Sequence, residues 1–152
     1  MSSSDVALVV DFLNTLDVAD GTDVLTRGAG WRGWSRERGL VPGPVSAARA
    51  ARAALRAAVG DALRAAPLTV PVVVEVDVRV GPVLVARDAV GAVMAAAARL
   101  VVLGHWSRVK ICPADDCRWV FYDESRNRSR TWCSMRVCGN REKARSWRQR
   151  QP

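Results

Sequence analysis

The sequence predicts an α+β fold in two parts: a helical N-terminal domain with one β-hairpin, and a small C-terminal part that carries every cysteine. Three observations predict it. Apolar residues recur at the three- and four-residue spacing of a helix face in residues 6–16, 47–66 and 89–103. They alternate with the period of a β-strand over residues 70–80. All four cysteines and most of the excess positive charge follow residue 103.

The size and composition exclude several classes of protein. The chain has 152 residues, of which 49% are hydrophobic and 25% charged, so it can bury a core but is too short for a large multidomain enzyme. The longest uncharged apolar run, Ala89 to Ala98, is too short to span a bilayer. The N-terminal residues MSSSDVALVVDF lack the basic region of a signal peptide. We therefore expect a cytoplasmic protein without a membrane partner.

The sequence predicts three helices before the hairpin of the N-terminal part. The apolar period of residues 6–16 predicts the first helix. A shorter helix is expected in the segment bracketed by Trp31, Trp34 and the Gly43 turn. Ser46 is expected to cap the alanine-rich helix 47–66, whose composition favours helix strongly. The arginines of this helix form a stripe that we expect to be its solvated face: Arg49, Arg52 and Arg56.

One hairpin is expected among these helices. Valines alternate with other residues from Val70 to Val80, which predicts a strand with one buried face. Gly81-Pro82 ends that strand, and residues 83–86 can return as the second strand. Asp88 is expected to cap the apolar helix 89–103. Helices around this hairpin would make up the first domain.

The charge distribution divides the chain at the same place. Residues 104–152 contain 12 Lys/Arg and 5 Asp/Glu, a net charge of +7, whereas residues 1–103 contain 11 and 10, a net charge of +1. Such concentrated positive charge predicts a polyanionic partner, DNA or alternatively RNA, for domain 104–152. The near-neutral domain 1–103, with its valine-rich strand, suits a second copy of the chain or a small-molecule ligand.

The cysteine spacing predicts a metal site. Cys112, Cys117, Cys133 and Cys138 form a C-x4-C-x15-C-x4-C pattern, in which each pair can supply two corners of a tetrahedron. A closed set of four thiolates predicts one structural zinc ion per chain. Two disulfides, which need an oxidising compartment, and an iron–sulfur cluster are the alternatives. His105 is expected at a helix end and not among the ligands.

The sequence offers no convincing catalytic site, so we expect no enzyme. Residues 28–33 match G-x-G-x-x-G formally, but no apolar strand precedes them and Trp31 would occupy the turn. With one histidine and every cysteine expected on metal, no nucleophile has a matching base. Glu75 and Asp77 lie on the polar side of the predicted strand and are expected to be solvated.

Two segments resemble known bacterial families. Residues 112–145, which contain the tetrapeptide Cys138-Gly-Asn-Arg141, resemble the CGNR-type zinc finger. Upstream, Val10-Asp11-Phe12-Leu13-Asn14-Thr15 is similar to the segment that opens the ABATE domain usually found before this finger. The resemblance implies a stress-linked transcription regulator of actinobacterial type, with an α+β N-terminal domain and a treble-clef-like zinc module.

The residues around the cysteines suggest how such a finger would act. The arginines expected to contact nucleic acid lie in the loop after the second cysteine and in the helix after the fourth: Arg126, Arg128, Arg130, Arg141, Arg145 and Arg148. Ala144 and Trp147 are expected to dock that helix on the finger, and Asp123 and Asn140 to hydrogen-bond the loop and the helix start. A DNA-binding regulator is the leading prediction. A thiol/zinc redox or metal sensor and a protein-binding scaffold are the alternatives.

Overall fold

The structure, a computed structural model, describes residues 3–62 and 64–150 and confirms the predicted α+β class. The helices are α1 (Ser3–Leu13), α2 (Gly28–Glu37), α3 (Val45–Ala58), α4 (Ala89–Val102) and α5 (Asn140–Gln149). The antiparallel hairpins are β1 (Leu16–Asp17) with β2 (Thr22–Asp23), β3 (Val73–Asp77) with β4 (Gly81–Val85), and β5 (Val109–Ile111) with β6 (Val120–Tyr122). Within the described ranges, each helix is too short or too polar to cross a bilayer.

Helix α3 is shorter than its apolar pattern predicts and begins at a different cap. Its N-cap is Pro44 instead of the predicted serine. At the other end Gly60 adopts a φ of +98°, and the amide of Asp61 donates to the carbonyl oxygen of Arg56 at 2.9 Å. Glycine adopts this backbone conformation at little cost, so it ends the helix there. Leu63, within the predicted helix 47–66, lies outside the described residues.

The valine-rich hairpin is exposed, so the prediction of a strand with one buried face is wrong. Strand β3 is shorter than predicted, and each of its residues is exposed to solvent. It pairs with β4 in a register that places Val74 opposite Leu84 and Val76 opposite Pro82. Alternation fixes the period of a strand, whereas burial depends on what packs against it. The helices do not surround this hairpin.

The helices instead share a core with the β5–β6 hairpin. Phe12 of α1 packs edge-on against Trp31 and Trp34 of α2, with ring centroids 5.9 and 5.8 Å apart. Val109 of β5 and Val120 of β6 are buried in the same cluster. The two strands on either side of the first cysteine pair are therefore packed as part of the N-terminal core, with β6 against α1.

The end of α1 is hydrogen-bonded to the outer edge of β6. The side-chain amide of Asn14 donates to the carbonyl oxygen of Val120 and accepts from its amide, both at 2.8 Å. Asn14 thus satisfies both backbone polar groups of a strand residue, as a neighbouring strand would. This pairing positions the hairpin on α1.

Replacing Asn14 with alanine should destabilise the protein by about 2 to 3 kcal/mol, because the amide and carbonyl of Val120 lose their partners in a part-buried position. Urea unfolding of the zinc-loaded chain measures this change. Asn127→Ala, in an exposed loop, is the matched control and should change the unfolding free energy by less than about 0.5 kcal/mol. Equal effects of the two substitutions would contradict the role given to Asn14.

Arg52 and Arg56 of the α3 stripe are buried, so the expectation of a solvated face is wrong for these two residues, whereas Arg49 is exposed. Arg52 donates to both carboxylate oxygens of Asp23 at 2.6 and 2.7 Å. That hydrogen bonding holds the pKa of Asp23 below its ordinary value. Arg56 is fully buried and donates to the carbonyl oxygens of Leu13 and Arg118, each at 2.9 Å. The stripe links α3 to α1 and to the segment before β6.

Candidate metal centre and basic surface

The four cysteines are supplied by two tight turns. Cys112 directly follows β5 and Cys117 lies shortly before β6, so the first pair comes from the loop of the β5–β6 hairpin. Cys133 precedes, and Cys138 lies within, a π-helical turn (Met135–Gly139) that continues into α5. One pair from a hairpin loop and one pair from a helix start is the arrangement expected of a treble-clef-like finger.

The sulfur geometry fits one tetrahedral ion. All four Sγ atoms lie within 4.8 Å of one another. The Sγ of Cys133 is 3.5 Å from that of Cys117 and 3.6 Å from that of Cys138. A zinc ion with four Zn–S bonds of about 2.3 Å places its sulfurs about 3.8 Å apart. No disulfide joins the four cysteines, and their sulfurs lie too close together to enclose a cubic iron–sulfur cluster.

The four neighbouring sulfurs influence one another's ionisation. Burial, together with the neighbouring cysteine sulfurs, holds the pKa of the Cys133 thiol well above its ordinary value. A divalent cation reverses this effect, because it stabilises thiolates directly. Arg141 adds positive charge, since its guanidinium lies 3.5 Å from the Sγ of Cys138. Its Nε is buried without a hydrogen-bond partner among the described residues.

The tetrapeptide that begins at the fourth cysteine builds the turn around it. A Cβ on Gly139 would lie 2.5 Å from a methionine sulfur of the same turn, so glycine permits the close packing. The side-chain amide of Asn140 donates to the carbonyl oxygen of Arg136 at 3.2 Å. Arg141 forms a 3.1 Å ion pair with Asp116. The tetrapeptide therefore ties the second cysteine pair to the loop that carries the first.

Comparison with known families agrees with this architecture. The ABATE family, described as "Putative stress-induced transcription regulator", matches residues 6–116. That match covers more than half of the chain. The chain belongs to the ABATE family. The CGNR zinc finger matches residues 108–151, which confirms both predicted resemblances and, with the sulfur geometry, the predicted site for one zinc ion. No curated protein and no solved structure matches the chain.

Residues 10–15, which resemble the opening of the ABATE domain, contact a strand of the CGNR zinc finger. Phe12 is buried in the core, and Asn14 holds β6 as described above. The hydroxyl of Thr15 accepts a hydrogen bond from Arg52 at 3.1 Å. This segment of the ABATE region thus holds the zinc-finger hairpin on one side and the buried arginine stripe on the other.

A buried aspartate organises the loop between the second and third cysteines. Asp123 accepts hydrogen bonds from Lys110 Nζ at 2.6 Å and from the amides of Ser125 and Arg130 at 2.9 and 3.0 Å. Burial opposes ionisation of Asp123, but these hydrogen bonds outweigh it and hold the pKa of the carboxyl well below its ordinary value. The loop is therefore folded around an anion, as the sequence predicted for Asp123.

The six arginines predicted to contact nucleic acid fall into two groups. Exposed on the loop or on α5 are Arg126, Arg128 and Arg148. Engaged within the finger are Arg130, Arg141 and Arg145. The guanidinium of Arg130 lies 4.7 Å from the centre of the Phe121 ring, and Arg145 forms a 3.0 Å ion pair with Asp116. The second group supports the fold of the finger.

The outward face of α5 differs from the predicted one. Trp147 is 61% exposed and Ala144 is exposed, so the expectation that they dock the helix is wrong. Instead, Asp116 forms ion pairs with Arg141 and Arg145, so this side of the helix faces the loop of the first cysteine pair. Lys143, Trp147 and Arg150, spaced by four and three residues, then face outward together. The sequence shows that spacing, but the side that docks depends on Asp116, which is distant in the chain.

Proposed function

We propose that this ABATE protein is a transcription regulator that binds duplex DNA through its CGNR zinc finger. The contact surface, here called the basic surface, consists of the loop tip and the outward face of α5: Arg126, Arg128, Lys143, Trp147, Arg148 and Arg150. The proposal rests on the observation that some charged side chains are paired inside the finger and others are exposed on its surface. Asp116, Asp123 and Glu142 pair with cations inside the finger, which leaves the outer cations available to phosphates.

The metal and the basic surface have separate roles in this proposal. Bound zinc would hold the two cysteine pairs together and so fix the loop and α5 relative to each other. One divalent ion with four thiolates changes the +7 charge of residues 104–152 to +5, which is still basic. Exposed arginines and lysines supply sequence-independent phosphate contacts, and a side chain that reaches a base edge supplies preference.

Binding to a mixed-sequence duplex should weaken steeply with salt. If the five cations of the basic surface each neutralise one phosphate, the slope of log affinity against log salt should be about −4.5. Changing Lys143 and Arg150 together to Gln should weaken binding and make the slope shallower by about 2. Fluorescence anisotropy titrations from about 50 to 300 mM salt measure both quantities.

Two further variants separate this surface from general charge effects. Arg32→Gln changes the charge of an exposed arginine on α2 and should leave affinity and slope unchanged. Arg126→Gln should weaken binding to all sequences alike if it contacts only phosphate. DNA binding by this surface would be refuted if Arg32→Gln lost as much affinity as the Lys143/Arg150 double variant, or if that double variant bound DNA as tightly as wild type. Tighter binding to an RNA duplex would shift the proposal to RNA.

A second function, peroxide sensing, is favoured by the exposure of one cysteine. Cys133 is partly exposed, whereas the other three cysteines are buried, and its sulfur is 3.5 Å from that of Cys117. Hydrogen peroxide would take two electrons from these two thiolates, so that its O–O bond breaks and one disulfide and two hydroxide ions form. Zinc release on peroxide treatment, reversed by dithiothreitol and zinc, would support the function. Full retention of zinc would refute it.

A further inference from the structure

A groove lies between the side chain of Trp132 and one side of α5. Its volume is about 450 Å³, within the range of about 300 to 1,000 Å³ that small-molecule sites span. The helix side of the groove is lined by Gly139, Glu142, Lys143, Ser146 and Arg150. Gly139 is buried, whereas Lys143, Ser146 and Arg150 are exposed, so the groove opens to solvent along the helix. We call it the α5 groove.

Trp132 forms an aromatic wall of the α5 groove. Its side chain is partly buried against the cysteine cluster. A Cβ on Gly139 would lie 3.2 Å from a ring carbon of Trp132, so the indole also packs closely on the turn that leads into α5. Because these contacts already hold the indole in place, a flat ring can stack on it without first ordering the side chain.

Two cations of the α5 groove are available to a phosphate group. The ammonium group of Lys143 has no hydrogen-bond or ion-pair partner among the described residues. Arg150 donates from its Nε to the carbonyl oxygen of Ser146 at 3.0 Å, and this bond leaves its two terminal nitrogens for a ligand. Glu142 also lines the groove, but its carboxylate forms a 3.1 Å ion pair with Arg145. The groove therefore combines an aromatic wall with positive charge.

We propose that the α5 groove binds one unpaired base of DNA, which stacks on Trp132 while its phosphate contacts Lys143 and Arg150. The inference rests on the proposed DNA binding, because both cations also belong to the basic surface. An aromatic side chain beside basic residues is the arrangement by which proteins hold single-stranded nucleic acid. A base that is stacked within a duplex does not reach such a wall, so the base must first leave the stack.

The charge of the α5 groove selects this occupant over an apolar partner. An apolar surface laid on the groove would bury Lys143 and Arg150 without counter-charges, which is costly. A nucleotide instead supplies a flat ring for Trp132 and an anion for the two cations. The groove is also continuous with the basic surface, so DNA bound there brings its own nucleotides to the groove. The ligand class is therefore DNA with an unpaired base.

Fluorescence anisotropy titrations of the full-length zinc-loaded chain test this proposal with a perfect duplex and the same duplex carrying one bulged adenine. The wild-type chain should bind the bulged duplex about tenfold more tightly, which is a typical gain from one base–aromatic stack. Trp132→Leu should abolish this preference, whereas Trp132→Phe, which keeps an aromatic ring, should retain most of it. Zinc content and circular dichroism show whether each variant is folded.

Ser146 offers a pair of variants that leave the aromatic wall intact. It is exposed on α5, so neither Ser146→Leu nor Ser146→Ala should disturb the fold. Leucine would occupy the α5 groove and should abolish the preference for the bulged duplex, whereas alanine leaves the groove open and should preserve it. Arg148→Gln changes a cation of the basic surface outside the groove, so it should weaken binding to both duplexes by the same factor.

Equal affinity of the wild-type chain for the two duplexes would overturn the inference and leave the proposed duplex binding intact. A preference that survives in a folded Trp132→Leu variant, or in Ser146→Leu, would also overturn it, because the unpaired base would then bind elsewhere. Absence of binding to both duplexes would refute the proposed function and the inference with it. Loss of the preference on adding about 1 mM deoxyadenosine monophosphate would overturn the assignment to DNA in favour of a free nucleotide.

Discussion

Replacing Cys133 with serine should abolish stoichiometric zinc binding and unfold the segment from the second cysteine pair through α5. Helix α5 contains no buried residue, so little besides the metal site and the ion pairs to Asp116 holds it. In isolated zinc fingers the metal supplies about 10 kcal/mol or more of folding free energy. Metal analysis of the purified variant and the loss of helical circular dichroism measure the two effects.

Metal removal should also lower the stability of the N-terminal core, although by less than that of the zinc finger. Val109 and Val120 are buried in that core, and they flank the first cysteine pair in the chain. Chelation of the wild-type chain should therefore lower the midpoint of thermal unfolding of the whole protein, while α1 to α4 stay folded at room temperature. The β5–β6 hairpin keeps its packing on α1 and its hydrogen bonds to Asn14.

Thr131→Ser is the matched control for the cysteine variant. It lies two positions before Cys133, is exposed, and makes a similarly small change of side chain. It should bind one zinc ion and unfold like the wild-type chain. Normal zinc content in Cys133→Ser, or a chelated wild-type chain with unchanged α5 and unchanged thermal stability, would show that the cluster does not hold the finger together.

The metal site could be predicted from the sequence because it depends on the type and spacing of four cysteines. Two cysteine pairs at fixed spacing restrict the ligand type, and the structure brings all four sulfurs within 4.8 Å. Helices α1 and α4 were likewise predicted near their observed positions, since each carries a clear apolar period. Asp88 caps α4 as expected, by accepting from the amide of Gly91 at 2.8 Å.

The errors concern contacts between distant segments. Arginine at helical spacing usually marks a solvated face, but Arg56 is buried because carbonyl oxygens from Leu13 and Arg118 converge on it. The docked side of α5 depends in the same way on Asp116. Periodicity shows which residues share a face. It does not show what lies opposite that face, so the exposed hairpin and the outward Trp147 could not be predicted.

Replacing Arg56 with methionine should destabilise the chain by about 3 to 5 kcal/mol, which is the usual cost of removing one partner from a buried ion pair. The guanidinium of Arg56 is fully buried and bonds to the carboxylate of Asp61 at 2.7 Å. Its other two hydrogen bonds, to the carbonyls of Leu13 and Arg118, link α3 to both neighbouring segments. Methionine keeps much of the volume but satisfies none of these oxygens. Urea unfolding of the zinc-loaded chain measures the loss.

The pH dependence of stability should change in the same variant. Burial raises the pKa of Asp61, but hydrogen bonds from Arg56 and Arg118 outweigh burial and lower it below the ordinary 3.8. A lowered carboxyl pKa contributes stability above the unfolded value, and that contribution is lost as the pH falls through the folded value. Arg56→Met should therefore show a smaller loss of stability below about pH 4 than wild type.

A double-mutant cycle with Asp61→Asn separates the ion pair from the packing of Arg56. The two single changes should not be additive, because either one removes the same ion pair, whose atoms lie 2.7 Å apart. Arg64→Met, an exposed arginine beyond the helix end, is the control and should change stability by less than about 0.5 kcal/mol. Zinc release to a chelator should be faster in Arg56→Met than in wild type, since Arg118, whose carbonyl accepts from Arg56, directly follows a cysteine of the metal site. Additive single effects, together with unchanged zinc release, would mean that Arg56 does not connect the N-terminal helices to the zinc finger.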